Sequence, residues 1–165
     1  DLSDYLRYLF DFEAEARLIT LDREIEAVKA YLALEKARFM GNLEYKLDMM
    51  DYKNILIPPM IIQPIVENAL CHGLRKVERK GSITIEGRKS GDFYNILIKD
   101  NGVGIKESDI ERIMCGEKKE GTGMGLANVR KRLTRFYGTD IQIESIYGSG
   151  TKITVRLKVK GEENA

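Results

Sequence analysis

The chain has little of what metal centres and membrane anchors need. Its 165 residues include one histidine and two cysteines, Cys71 and Cys115, with no metal-ligand spacing, which argues against a structural zinc site. Free thiols in such small number fit a reducing compartment. No apolar run approaches the roughly 20 residues that span a bilayer, and no signal-peptide pattern is visible. Neither sign of charge is in excess: 27 basic and 26 acidic residues leave a net +1, so a dedicated nucleic-acid or membrane-surface binder, which needs a basic face, is not expected. Repeats and low-complexity segments are missing too.

What is present suits one domain with a helical appendage. Hydrophobic residues make up 43% of the chain, enough for a sizeable core. The opening "DLSDYLRYLF" starts mid-pattern, as a piece cut from a longer protein would. Residues 1–12 carry Leu2, Tyr5, Leu6 and Leu9 at helical spacing, and "ARLIT" reads as a break. Thr20 is placed to cap a helix over 21–39, with Leu21, Ile25, Val28, Leu32 and Phe39 on its apolar side, and Gly41 stops it. "LEYKLDM" alternates as a half-buried strand. "PMIIQPIVENALCHGLR" reads as a helix from Pro59 to about Leu74, Pro59 suiting its first turn. "SITIEGRK" and "FYNILIKD", joined at Gly91–Asp92, predict a hairpin. Residues 106–120 read as a polar loop with one helical turn. A helix over 126–137 and a last hairpin, "IQIESIY" to "TKITVRLKV", complete an α+β domain, helices layered on a mixed, mostly antiparallel sheet, with "GEENA" as a disordered tail.

Four features carry candidate chemistry. Helical spacing puts Pro64, Asn68 and His72 in one row on an otherwise apolar helix. An Asn carbonyl suits Mg²⁺ that keeps water and phosphate oxygens, and His72 suits a phosphate; taken alone, both residues fit ordinary partly buried polar groups satisfied by backbone better. Asp100 shares strand parity with Ile96 and Ile98, so it is expected to face the core, where a carboxylate needs a donor such as an adenine amino group. Gly102 and Gly104 allow the backbone to approach a flat ring, although "DNG" at a strand end is also a common turn. "GTGMGL" before a helix frees amides to meet anions, or is a flexible loop; Lys118 and Lys119 beside it either reach phosphates or are solvated. In "GSGT", Thr151 is either a water-bonding group beside a base or a β-branched strand residue.

Taken in order, these pieces resemble the ATP-binding (Bergerat) fold shared by gyrase, Hsp90, histidine kinases and MutL: "ENALCHG" resembles the N box, "DNGVGI" the G1 box, "GTGMGL" the G2 box and "GSGT" the closing Gly-Thr element. With "TLDREIEAVKAYLALEKARF" and "IPPMIIQPIVENALCHG", the chain is similar from Leu2 to about Val159 to sensor histidine kinases of the LytS/YesM-like family. The resemblance implies a histidine kinase using ATP and Mg²⁺, with residues 1–40 as trailing helices of the dimerisation and phosphoacceptor region, 41–160 as the catalytic domain and 161–165 as a tail. It implies that Asn68 holds Mg²⁺, that Asp100 accepts from adenine with Thr151 assisting through water, that Gly102 and Gly104 shape the base pocket, and that His72, Gly121, Thr122, Gly123, Met124, Gly125 and Leu126 attend the nucleotide. Residues 106–122 would be a short lid.

Gyrase-type members place a glutamate one turn before the magnesium asparagine. Here that position is Pro64, while Glu67 is turned about 100° away, so phosphoryl transfer is favoured over hydrolysis; Glu67 is either catalytic or a salt-bridging surface residue. The family often has Lys where Cys71 stands, so one phosphate contact is expected to be missing here unless Arg75 or Lys76 of this chain substitutes. The implied partners are ATP, a phosphoacceptor histidine helix of the same protein absent from this chain, a cognate response regulator and a second copy in the full-length protein; the piece itself is expected to be monomeric and cytoplasmic, with the whole protein in the membrane. The alternatives are a related anti-sigma-factor-type serine kinase and a nucleotide-binding pseudokinase.

Overall fold

The computed structural model describes residues 18–116 and 124–159. A two-residue strand, β1 (Ile19–Thr20), leads directly into helix α1 (Leu21–Arg38). Thr20 caps the helix as its sequence position suggests, its hydroxyl accepting from the Arg23 amide at 3.4 Å. The "ARLIT" break therefore ends in structure: β1 pairs antiparallel with β3 (Leu56–Ile57), a small clip outside the main sheet. Leu21, Ile25, Val28 and Leu32 point into the core at helical spacing, and two acids, Glu24 and Glu35, are buried along with them.

The main sheet has the order β2-β4-β5-β7-β6, built from β2 (Leu43–Met49), β4 (Gly81–Ser90), β5 (Phe93–Asp100), β6 (Gln142–Ile146) and β7 (Gly150–Lys158). β2 runs parallel to β4, and the other neighbours are antiparallel hairpins or returns. The alternation in the sequence sets the inner face. Ile85, Ile98 and Ile153 fall in register across three strands, and Asp100 and Thr151 pair at the next inward position along β5 and β7. That register fixes the acid at the sheet's edge of the core.

Helix α2 (Ile62–Asn68) starts later than the sequence suggests. Pro59 lies outside it, and Met60 adopts φ +60, a left-handed corner that re-aims the chain before the first helical residue. After Asn68 the helix widens into a π turn at Ala69–Gly73 and tightens into a 3₁₀ turn at Leu74–Lys76. Helix α3 (Glu107–Cys115) replaces the single turn expected in the polar segment; acids at its start and Gly116 in the left-handed conformation at its end support nine residues of helix. Helix α4 (Met124–Tyr137) contributes Leu126, Val129 and Leu133 to the core. One buried cluster joins side chains of α1, α2, α4 and the sheet. The expected first helix, the phosphate-loop glycines at 121 and 123, and the tail lie outside the described residues.

Candidate functional site

A cavity of about 430 Å³ opens between α2, the loop after β5, α3 and the β6–β7 hairpin. That volume lies in the range that holds small organic ligands. Asn68, His72, Asp100, Gly104 and Thr151, five of the positions singled out in the sequence, line it together.

Asp100 ends β5 with its side chain 7% exposed. Its Oδ1 accepts from the Gly102 amide at 2.7 Å. Burial pushes the carboxyl up to about 6, while bonds from the Gly102 and Thr151 amides hold it down. At neutral pH the group is therefore mainly an acceptor. Thr151 sits beside it, 3.0 Å from Ser145 Oγ. Ser145 uses its single proton on the Gly150 carbonyl at 2.9 Å, so Thr151 donates to Ser145 and keeps its lone pairs free. An acid and a hydroxyl acceptor side by side suit a ligand edge bearing an amino group and a water.

The walls near Asp100 are made by close backbone contacts. A Cβ on Gly102 would lie 2.5 Å from the Gly73 carbonyl carbon, so the glycine lets the loop after β5 press against α2; Val103 N then donates to Gly73 O at 3.2 Å. Gly104 has φ +72 and passes within 2.3 Å, measured from a Cβ position, of the Ile146 carbonyl. Gly102 thus serves helix–loop packing, and Gly104 is the one of the pair on the cavity. Arg79 straps this region from outside, donating to the carbonyls of Asn101, Gly102 and Gly148.

At the other end stand Asn68, His72 and Lys76. Neither Asn68 nor His72 makes a side-chain hydrogen bond to a described residue, so their polar atoms are available to a ligand. Burial, and then the charge of Lys76, keeps the His72 imidazole below its usual range. Lys76 lines the cavity; Arg75 is engaged with Glu35 at 2.8 Å and does not. Cys71 is half-buried and lies outside the lining. Glu67 also lies outside it and accepts from Gln63 Nε2 at 3.0 Å.

A Cβ at Gly125 would meet Pro64 at 3.4 Å, and Leu126 is wholly buried in the core. Neither lines the cavity, and Gly121, Thr122, Gly123 and the side chain of Met124 are outside what the structure describes. Sequence reasoning missed Tyr147, and it placed Lys106 and Asp109 in the expected lid without assigning them a role. Tyr147 is 63% exposed at the hairpin turn, with the Lys106 ammonium 5.2 Å from its ring centroid across the cavity mouth. An exposed aromatic in "ESIYGSG" was the available signal. Among the described residues no cluster of three or more His, Cys, Asp or Glu side chains could hold a metal alone.

A second groove, about 470 Å³, lies beside the 3₁₀ turn among Arg38, Arg75 and Arg79. Two of these arginines pair with Glu35 and the third with backbone carbonyls, so it offers little unpaired charge.

Residues 58–161 match the family model described as histidine kinase-, DNA gyrase B-, and HSP90-like ATPase, and residues 1–43 match one described as histidine kinase. The chain is 38% identical over 156 residues to the sensor protein LytS of Bacillus cereus, covering 91% of this chain and 26% of that protein. It is 36% identical over 153 residues to the sensor histidine kinase YpdA of Escherichia coli, covering 93% and 26%. It spans from 26% to 56% of the length of the first curated relatives it matches. Among solved structures, the nucleotide-free catalytic domain of histidine kinase ThkA superposes with a TM-score of 0.67 at 17% identity, covering 87% of this chain and 95% of that one, which shows the fold.

Proposed function

We propose a kinase role for this chain, which belongs to the histidine kinase-, DNA gyrase B-, and HSP90-like ATPase family: it binds ATP and presents the γ-phosphoryl group to a histidine elsewhere in the whole protein. The observation that carries the reading is Asp100, a buried acid on the cavity wall beside the free lone pairs of Thr151. Such a pair recognises the amino edge of adenine. The base lies against Gly104 and the mouth formed by Tyr147 and Lys106, and the phosphates run toward Asn68, His72 and Lys76.

Asn68 fits Mg²⁺ as a single oxygen donor with no competing partner among the described residues. When bound, the ion supplies charge neutralisation on the phosphate oxygens. Lys76 adds a second positive charge, and the imidazole of His72, held below its usual range by burial and by Lys76, donates a hydrogen bond. Transfer forms a bond from phosphorus to the unprotonated imidazole nitrogen of the acceptor and breaks the bond to the oxygen that leaves on ADP; the other ring nitrogen of the acceptor then releases its proton to solvent. Positioning and electrostatics supply most of such a rate enhancement. No carboxylate stands where a water-activating base would: Pro64 holds that position and Glu67 bonds Gln63 away from the cavity. This favours transfer to protein over hydrolysis.

The remaining assignments belong to the same proposal. Residues 1–40 act as the end of a dimerisation and phosphoacceptor region and 41–160 as the catalytic domain. A response regulator is the downstream partner, a second copy the partner in the whole protein, and the whole protein sits in the membrane with this part in the cytoplasm. A serine-kinase role is disfavoured because the named relatives are sensor kinases and the histidine kinase model matches 1–43.

Calorimetric titration with ATP and Mg²⁺ tests the reading, with saturable binding expected. No binding at millimolar nucleotide overturns it. Labelled ATP should leave this chain unlabelled, since its one histidine, His72, is a phosphate neighbour; acid-labile phosphate on His72 would contradict that assignment.

A further inference from the structure

Helix α1 holds both ends of the helical segment 62–76, α2 with the π and 3₁₀ turns that continue it, through two acids unlike surface carboxylates. Glu24 and Glu35 are 0% and 1% exposed. They stand about three turns apart, so they share one face of α1 and are separated by about 16 Å along its axis. At one end Glu24 Oε1 accepts from the amides of Ile61 at 2.7 Å, Ile62 at 2.6 Å and Gln63 at 3.3 Å. These donors have no partner inside their own helix, and α2 has no side-chain cap of its own. At the other end Glu35 Oε2 accepts from Arg75 at 2.8 Å, just past His72, while its Oε1 accepts from Arg38 of α1 at 2.7 Å.

Between the two grips lie Asn68 and His72, which face the cavity; neither acid does. A single anchor lets a helix pivot, whereas two on one face fix its position along its axis and its rotation. The grips also join the two matched parts of the chain. Both acids fall within 1–43, and every group they hold outside α1 falls within 58–161.

We propose that Glu24 and Glu35 are positioning residues that fix the register of α2, and with it Asn68 and His72, so that displacing α1 changes nucleotide affinity. The proposal rests on reading the cavity as a nucleotide site. Linkage makes it reciprocal: whatever moves α1 alters nucleotide binding, and nucleotide steadies α1 by the same factor.

The test uses this chain with Glu24→Leu, Glu24→Gln and Glu35→Gln, each checked for folding by circular dichroism. Two quantities are measured: affinity for Mg·ATP, and the NMR signal of the His72 ring at pH 8, a single-site reporter because no other histidine is present. Folded Glu24→Leu should bind roughly tenfold more weakly and shift the His72 signal. Glu24→Gln keeps an oxygen for the amides and should return affinity to within about threefold of wild type. Glu35→Gln should weaken binding by a smaller factor and move the same signal. A purely stabilising role would lower the unfolding midpoint and leave both readings of the folded protein unchanged, which overturns the proposal. If Glu24→Leu does not fold, Glu35→Gln decides by the same readings. If the wild type binds no nucleotide, the ATP reading fails, and the His72 signal alone decides whether the acids position α2: a shift supports it, coincidence with wild type refutes it.

Discussion

Helix α2 has two polar sides that treat hydrogen bonds in opposite ways. Toward α1, its start and its end are held by buried acids at short distances. Toward the cavity, Asn68 and His72 have no side-chain partner among the described residues. Asn68 and His72 are half-buried, so leaving them without a protein partner costs less than the roughly 1–3 kcal/mol of a fully buried group; among the described residues the buried side-chain atoms without a partner are Glu24 Oε2 and Gln63 Oε1, at the held end. The helix is held on the first side through Glu24 Oε1 and Glu35, and on the second it offers Asn68 and His72 to the cavity.

The contrast can be broken first at Glu24. Burial raises this carboxyl to about 7 from 4.5. The folded state therefore holds the proton more tightly than the unfolded chain. Stability from this group is complete below pH 4.5 and is lost as pH rises toward 7, by about 3 kcal/mol in all. Denaturant unfolding at pH 4.5 and 8 should show this fall in the wild type and a flatter profile in Glu24→Gln. A wild-type profile no steeper than that of the variant would mean Glu24 is not desolvated as the structure has it.

The cavity side should respond in binding. Asp100→Asn keeps the shape and removes the charge, so nucleotide affinity should fall about tenfold to a hundredfold, the worth of a hydrogen bond to a charged group. Thermal stability at pH 8 should not drop, because the acid is desolvated there. Asn68→Ala should lower affinity about tenfold in Mg²⁺ and little in chelator, with unfolding free energy within about 0.5 kcal/mol of wild type, as for a group without protein partners. The smallest effect is expected at the rim: Tyr147→Ala should lose about 0.5–1 kcal/mol of nucleotide binding through lost ring contact, without changing stability. Calorimetry with and without Mg²⁺ separates these three.

Much of this arrangement was legible locally. Strand parity put Asp100 on the core side, the two hairpins fell at their turn residues, and Thr20 capped α1. What escaped was long-range or marginal. Glu24 looks like one more first-turn acid of α1, and nothing near it in sequence says that it caps a different helix. That cap, with the left-handed corner at Met60, is why α2 starts at Ile62 and not at Pro59. α3 buries no side chain completely, and its charged residues read as a loop although Ile110, Ile113 and Met114 fall at helical spacing. Tyr147 and Arg79 act through the fold of two loops, which no periodicity encodes.

The π turn at Ala69–Gly73 gives the chain a tolerance in length. Removing one residue from that ring would close it to ordinary α winding and leave Leu74 and Arg75 on their present faces. Removing one elsewhere in α2 would swing everything downstream by about 100°. The helix thus carries one residue of slack where it passes the cavity, the place where the spacing between Asn68 and the basic end can be varied without unseating either anchor.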